Sequence, residues 1–298
     1  MSKTIAIFEP IYSPDQRLTC AEFTPLVRAD NLRPEWREFK ILIDMYRNGD
    51  YLRHDYTGLF SPKFTLKSKV SGSTFLQFVR HNLDVDTCFI NPFPQLAYWS
   101  YNVWMQGEHA HPGLEQAAQA LVDAAGLNIT IADTPRHGQG TLAYCNFWVG
   151  SKRFWEQYVG RTLLPIADFL EASPSHQVAR AVMTDTTHTD PAPFLPFIIE
   201  RLFSTYVSLH PELRRSAYAF NARQVREYCI NDFEKILFDR MRAKVDAADA
   251  SGTFEPELVE QMDTACALWQ KHFFDFYATH PHPHTGQPVQ QPHMRSLA

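Results

Sequence analysis

Thr4-Ile5-Ala6-Ile7-Phe8-Glu9-Pro10-Ile11-Tyr12, closed by Ser13-Pro14-Asp15, opens the chain with a short apolar run and a turn-forming stop. Such a run reads as a strand, and a strand this early in a domain commonly ends at a loop that carries function. The segments that follow alternate in period. From Pro34, the apolar residues Trp36, Phe39, Leu42, Ile43 and Tyr46 recur at helical spacing and stop at Asn48-Gly49. Residues 56–60 read as a second strand broken by Ser61-Pro62, and residues 87–90 as a third broken by Asn91-Pro92. Residues 74–81 form a helix between them. Residues 112–126 place Leu114, Ala118, Leu121, Val122 and Ala125 on one helical face, and residues 128–132 are read as the next strand. Alternation of this kind predicts an α/β fold, a mostly parallel sheet flanked by helices.

After a strand-like stretch at 144–149, the pattern is helical at 151–164, 193–209, 223–247 and 255–279. The expected organisation is an α/β core over residues 1–210, a helical C-terminal region over 211–279 packed on it, and a disordered tail over 280–298. The tail is rich in proline and histidine and has no apolar period. No internal repeat occurs.

Of the 298 residues, 45% are apolar and 20% charged, which fits a folded globular chain. The 22 Phe, 12 Tyr and 6 Trp suit a deep core, and they also suit clefts in which sugar or base faces lie on aromatic rings. A formal charge of −5 supplies no field to gather DNA or RNA, so nucleic acid is excluded as a general partner. The N-terminus lacks a signal-type apolar stretch and no run reaches the ~18 residues of a transmembrane segment, so a cytoplasmic location is expected. Five scattered cysteines without a CxxC pair read as reduced thiols.

Asp84-Val85-Asp86 has the DxD form in which paired carboxylates offer hard oxygen ligands to Mg²⁺ or Mn²⁺ on a diphosphate. Two readings stand for it. The pair also suits an exposed turn, and it precedes a strand, whereas ligands in open α/β sheets gather beyond strand carboxyl ends. Asn91 occupies that tip, so metal-independent activity is as open as metal dependence. Glu108-His109-Ala110-His111 and Asp185-Thr186-Thr187-His188-Thr189-Asp190 are further polar clusters, without an established metal-ligand spacing. Neither GxxxxGK[ST], GxSxG nor GxGxxG stands at a strand-to-helix junction, which removes the usual kinase, serine-hydrolase and dinucleotide-binding readings.

Several segments together resemble a family of bacterial glycosyltransferase-like proteins of GT-A architecture associated with surface and capsular polysaccharide synthesis. They are Asp30-Asn31-Leu32-Arg33-Pro34-Glu35-Trp36-Arg37-Glu38, Tyr56 to Phe64 with Lys67, Asn91-Pro92-Phe93, Asn102 to Glu108 with His111-Pro112-Gly113, Asn146 to Gly150, and Ile199-Glu200-Arg201-Leu202-Phe203-Ser204. The likeness runs over about residues 4–210. It implies a GT-A-like, Rossmann-like sheet, a nucleotide-binding N-terminal half and an acceptor-binding C-terminal half. The chain departs from it at Asn91-Pro92-Phe93, where no DxD stands at the strand tip.

Sugar transfer from a nucleotide-sugar donor to a glycan acceptor needs a base for the acceptor hydroxyl and positive charge for the departing diphosphate. Glu200 and Asp190 are the candidate bases. Glu200 borders the apolar stripe of helix 193–209, and the resemblance implies an acidic residue on such a late helix. Asp30, Asn31, Arg33 and Glu38 are expected around the nucleotide, beyond the first strand and at a helix start. Asn91 is expected at the same pocket, and Lys63 and Lys67 at the phosphates. Two alternatives remain: a non-catalytic glycan- or protein-binding relative of the same fold, and a metal-dependent hydrolase using His109, His111 and His188.

Overall fold

The computed structural model describes residues 3–28, 33–186 and 192–282. Its strands are β1 (Ile5–Ile11), β2 (Thr24–Val27), β3 (Tyr56–Leu59), β4 (Thr87–Phe89), β5 (Trp148–Ser151), β6 (Asp185–Thr186), β7 (Ala192–Pro193) and β8 (Arg215–Ala217). Six of them form one sheet in the order β2-β1-β3-β5-β4-β8, while β6 and β7 pair separately. β1 runs parallel to β2 and β3, and β4 parallel to β8. β5 is antiparallel to both its neighbours, Gly58 opposite Val149 on one side and Cys88 opposite Val149 on the other. The protein is thus an α/β protein with a mixed, mostly parallel sheet.

Alternation along the strands explains why both faces are covered. Leu59, Phe89 and Trp148 belong to one buried cluster, and Ile7, Tyr56, Cys88 and Val149 to the other. Successive side chains of a strand point to opposite faces, so each face needs its own layer of helices. The helices are α1 (Glu38–Arg47), α2 (Phe64–Ser68), α3 (Gly72–His81), α4 (Val103–Ala110), α5 (Leu114–Ala124), α6 (Lys152–Phe154), α7 (Leu164–Ala172), α8 (Gln177–Val182), α9 (Phe194–Leu209), α10 (Ala222–Tyr228), α11 (Asp232–Ser251) and α12 (Pro256–Tyr277). α2 and α3 supply Phe64, Phe75 and Val79 to the second cluster, and α1, α4, α5, α7 and α9 pack on the first. Each fully buried aromatic or aliphatic side chain contributes ~1.5–3 kcal/mol.

Several local expectations change. Residues 128–132 are not a strand: Ile131–Asp133 is a 3-10 turn. The Gln119 side chain takes its backbone bonds, donating to Ile129 O at 3.0 Å and accepting from Ile131 N at 2.7 Å. The helix expected at 223–247 is two helices, because Asn231 caps a new start by accepting from Glu234 N. The helix at 34–48 opens as a 3-10 turn, Pro34–Trp36, and α1 begins after Arg37, whose φ is 50°. Between α6 and α7, Trp155–Leu163 is π-helical. Pro165 near the start of α7 has no N–H to return to an ordinary turn, and the wider winding ahead of it accommodates that loss. β8 lies beyond residue 210 yet adds the sixth strand to the sheet.

Candidate functional site

β1, β2, β3, β4 and β8 all point the same way, so their carboxyl ends share one edge of the sheet, and β5 starts there. Connections that leave this edge are where open α/β sheets place ligands. The loop after β1 is fixed from inside: the buried Glu9 carboxylate accepts from Thr19 N at 2.8 Å and Thr19 Oγ1 at 2.7 Å. β3 leads through Phe60 to α2, β4 leads to Asn91-Pro92-Phe93, and Tyr144-Cys145-Asn146 leads into β5.

Lys67 on α2 reaches across this edge, its Nζ donating to Cys145 Sγ at 3.2 Å and standing 6.0 Å from the centre of the Phe93 ring. Burial pulls the Lys67 ammonium down, but Cys145, Glu200 and Glu38 outweigh it and hold the group above its ordinary value. Burial pushes the Cys145 thiol up to about 12 against the opposing Lys67 charge. The carboxylates of Glu200 on α9 and Glu38 on α1 act on Lys67 in the same direction as Cys145. Charges from distant parts of the chain therefore act on one cation.

The backbone beneath this cluster is strained. Cys145 and Asn146 are consecutive non-glycine residues in the left-handed region, with φ of 66° and 54°. Such conformations cost roughly 1–3 kcal/mol each and gather at functional sites. Buried polar atoms here also lack partners among the described residues: Asn146 Oδ1, Tyr144 Oη, and Nε and one Nη of Arg28 at the carboxyl end of β2. Behind them, Arg201 is 2% exposed and donates to Val103 O, Phe197 O and Gln106 Oε1, with its guanidinium 5.8 Å from the Tyr144 ring centre. Burial lowers its pKa, and Glu200 is the first charge that opposes the shift.

The other candidates fall as follows. Asn91 faces this edge, but its amide is spent on an Asx turn, accepting from Phe93 N at 3.0 Å and donating to Phe93 O at 3.2 Å. Lys63 is exposed, and with Lys67 it helps lower the pKa of His282, after burial, the larger cause. His282 was expected in the tail, yet its ring packs on Phe273 and Tyr277. Arg33 lies over Trp36, 4.9 Å from the ring centre, and in the field of Glu171. Asp30, Asn31, His188 and Asp190 lie outside the described residues.

Asp84 and Asp86 stand at the opposite, amino edge of β4. Asp84 is exposed, and the buried Asp86 carboxylate accepts from Arg214 N at 3.0 Å with Arg153 4.0 Å away. That pair does not suit a divalent ion serving the Lys67 edge. His109 bonds Asp263 at 2.8 Å, and His111 stacks on Phe197 with ring centres 3.9 Å apart. Among the described residues no group of three or more His, Cys, Asp or Glu is arranged to hold a metal ion. Among them, too, no helix is long and apolar enough to cross a membrane.

No protein-family model matches the chain, and no curated protein matches it. A similar solved structure is that of the bifunctional glycosyltransferase WbbM in its apo form, at 18% identity and a TM-score of 0.46. The match covers 73% of this chain and 46% of that one, so the chain spans less than half the length of the structure it matches.

Proposed function

We propose that the protein is a GT-A-like glycosyltransferase that moves a sugar from a nucleotide-sugar donor to a glycan acceptor in bacterial cell-surface polysaccharide synthesis, and that it works in the cytoplasm. One observation carries the reading: Lys67, bonded to Cys145 and held charged, over strained backbone, at the carboxyl edge of a mostly parallel sheet. In the proposed reaction Glu200 takes the proton of an acceptor hydroxyl as its oxygen attacks the anomeric carbon. The bond from that carbon to the diphosphate breaks, and the electron pair leaves with the nucleoside diphosphate. Lys67 meets the charge that develops there, with Lys63 and Arg28 as further cations at the same edge. Attack from the face opposite the leaving group inverts the anomeric centre, and it needs only one placed carboxylate. Asp190 is the next candidate base.

No step is routed through Mg²⁺ or Mn²⁺, because Asp86 is bound to Arg214 at the far edge of the sheet. A thermal-shift screen with UDP, GDP and their common sugar conjugates, with and without Mn²⁺, tests the reading. At least one nucleotide is expected to raise the melting temperature equally in EDTA and in Mn²⁺. Lys67→Met is expected to weaken its binding about tenfold or more, and Glu200→Gln to keep binding while lowering transfer ~10²-fold or more. Stabilisation by none of the nucleotides would sink the proposal, and binding without any transfer would favour a non-catalytic binder.

A further inference from the structure

A second concave site lies where α3, α10 and the end of β8 meet. It is a cavity of about 260 Å³ whose lining includes Lys69, Ser71, Thr74, Gln224 and Glu227. Three aromatic rings form one wall, with Tyr218 and Phe220 5.2 Å apart and Phe220 and Tyr228 4.9 Å apart between centres. The facing rim is a hydroxyl cluster: Ser71 Oγ lies 2.8 Å from Thr74 Oγ1 and 3.0 Å from Ser73 Oγ. Gln224 closes the site. Its Oε1 accepts from Asn221 N at 2.9 Å, which leaves its amide N–H groups without a partner among the described residues.

Charge and size narrow the occupant. Lys69 and Glu227 balance formally, and the Lys69 ammonium is already committed, donating to Glu227 O at 2.9 Å and lying 4.8 Å from the centre of the Tyr228 ring. A phosphate finds no spare cation there. The volume sits just below the ~300–1,000 Å³ of drug-sized ligand pockets, room for one small ring rather than a nucleotide. Ring faces offer a platform to the apolar side of a pyranose, and the hydroxyls and amide offer partners to its OH groups. Lys69 takes its left-handed conformation, φ 53°, as the cap that ends α2, its N–H donating to Thr65 O.

We propose that this cavity is a monosaccharide subsite that holds one neutral pyranose unit of a glycan chain. It does not rest on the transfer reaction, since a transferase and a glycan-binding protein would both use it. The test is saturation-transfer NMR on the full chain with the methyl β-pyranosides of glucose, galactose and N-acetylglucosamine, with uridine as a competing ring. Transfer to the ring C–H protons of at least one glycoside is expected, reduced at least fivefold in Tyr218→Ala and in Gln224→Glu. Gln224→Glu retains the acceptor that caps α10, removes the amide donor and adds a charge near Glu227; an unchanged urea midpoint in both variants keeps the loss of signal from being laid to unfolding. UDP affinity, read on the same samples, is expected to be unchanged in both variants, which keeps a failure here separate from a failure at Lys67. No transfer to any glycoside, transfer that survives both substitutions, or transfer to uridine alone would overturn the proposal.

Discussion

At the scale of single residues, the cost of the Lys67 edge is concentrated in Asn146. It adopts φ 54° and leaves a buried side-chain oxygen without a partner among the described residues. Glycine tolerates that backbone without strain and removes the orphan oxygen. Asn146→Gly is therefore expected to raise stability by about 1 kcal/mol in urea denaturation while weakening nucleotide binding, a gain in one traded against the other. A destabilised variant would show that Asn146 serves the fold alone. Glu38, Lys67 and Glu200 could be picked out in the sequence as candidate charges, at a helix start, after a strand end and at the border of an apolar stripe. Cys145 was not, because its contact with Lys67 spans 78 positions and depends on a left-handed backbone that no residue type announces.

At the scale of elements, the π-helical stretch shows how closely the helices of the first face are fitted. A Cβ on Gly160 would come within 2.2 Å of the Tyr46 hydroxyl on α1. Gly160→Ala must displace a ring that stacks on Tyr51 at 5.1 Å between centres, so a loss of about 1–3 kcal/mol is expected, read as a lower urea midpoint. An unchanged midpoint would mean that α1 slides freely on the π segment. Legibility follows burial here as well. β1, β3 and β4 are mostly buried and read as strands from short runs closed by turn residues. β2 is mostly exposed and contains Pro25, and Arg215-Ser216-Ala217 of β8 has no apolar pattern, so neither edge strand left a signal. Residues 128–132 had the composition of a strand, but one glutamine side chain took the hydrogen bonds a sheet would have needed.

At the scale of the whole molecule, stability depends on pH through a buried histidine. His137 is fully buried, accepts from Val103 N at 3.3 Å and bonds Ser208 Oγ at 3.0 Å. Burial, with Arg136 adding, pushes its pKa down to about 3 from the ordinary 6.5. The unfolded chain takes up this proton near 6.5 and the native one refuses it, so stability is full above that pH and falls as pH drops toward 3. The slope reaches ~1.4 kcal/mol per pH unit. Glu234, raised by burial, opposes it only near the carboxylate range. His137→Asn is expected to flatten the slope between about pH 6.5 and 5, and an unchanged slope would assign it to other groups. The position of β5 has a temporal consequence. Among the described residues, β2-β1-β3 and β4-β8 are two half-sheets joined in the sheet through Trp148–Ser151. During synthesis at ~5–20 residues per second, the first half-sheet must wait several seconds, edge exposed, for its bridging strand to emerge. A fragment ending at residue 147 is expected to show no cooperative unfolding transition, and the full chain to refold slowly for its size, as long-range pairings demand. A nascent chain held this long with an open edge is one that a ribosome-associated chaperone would shelter.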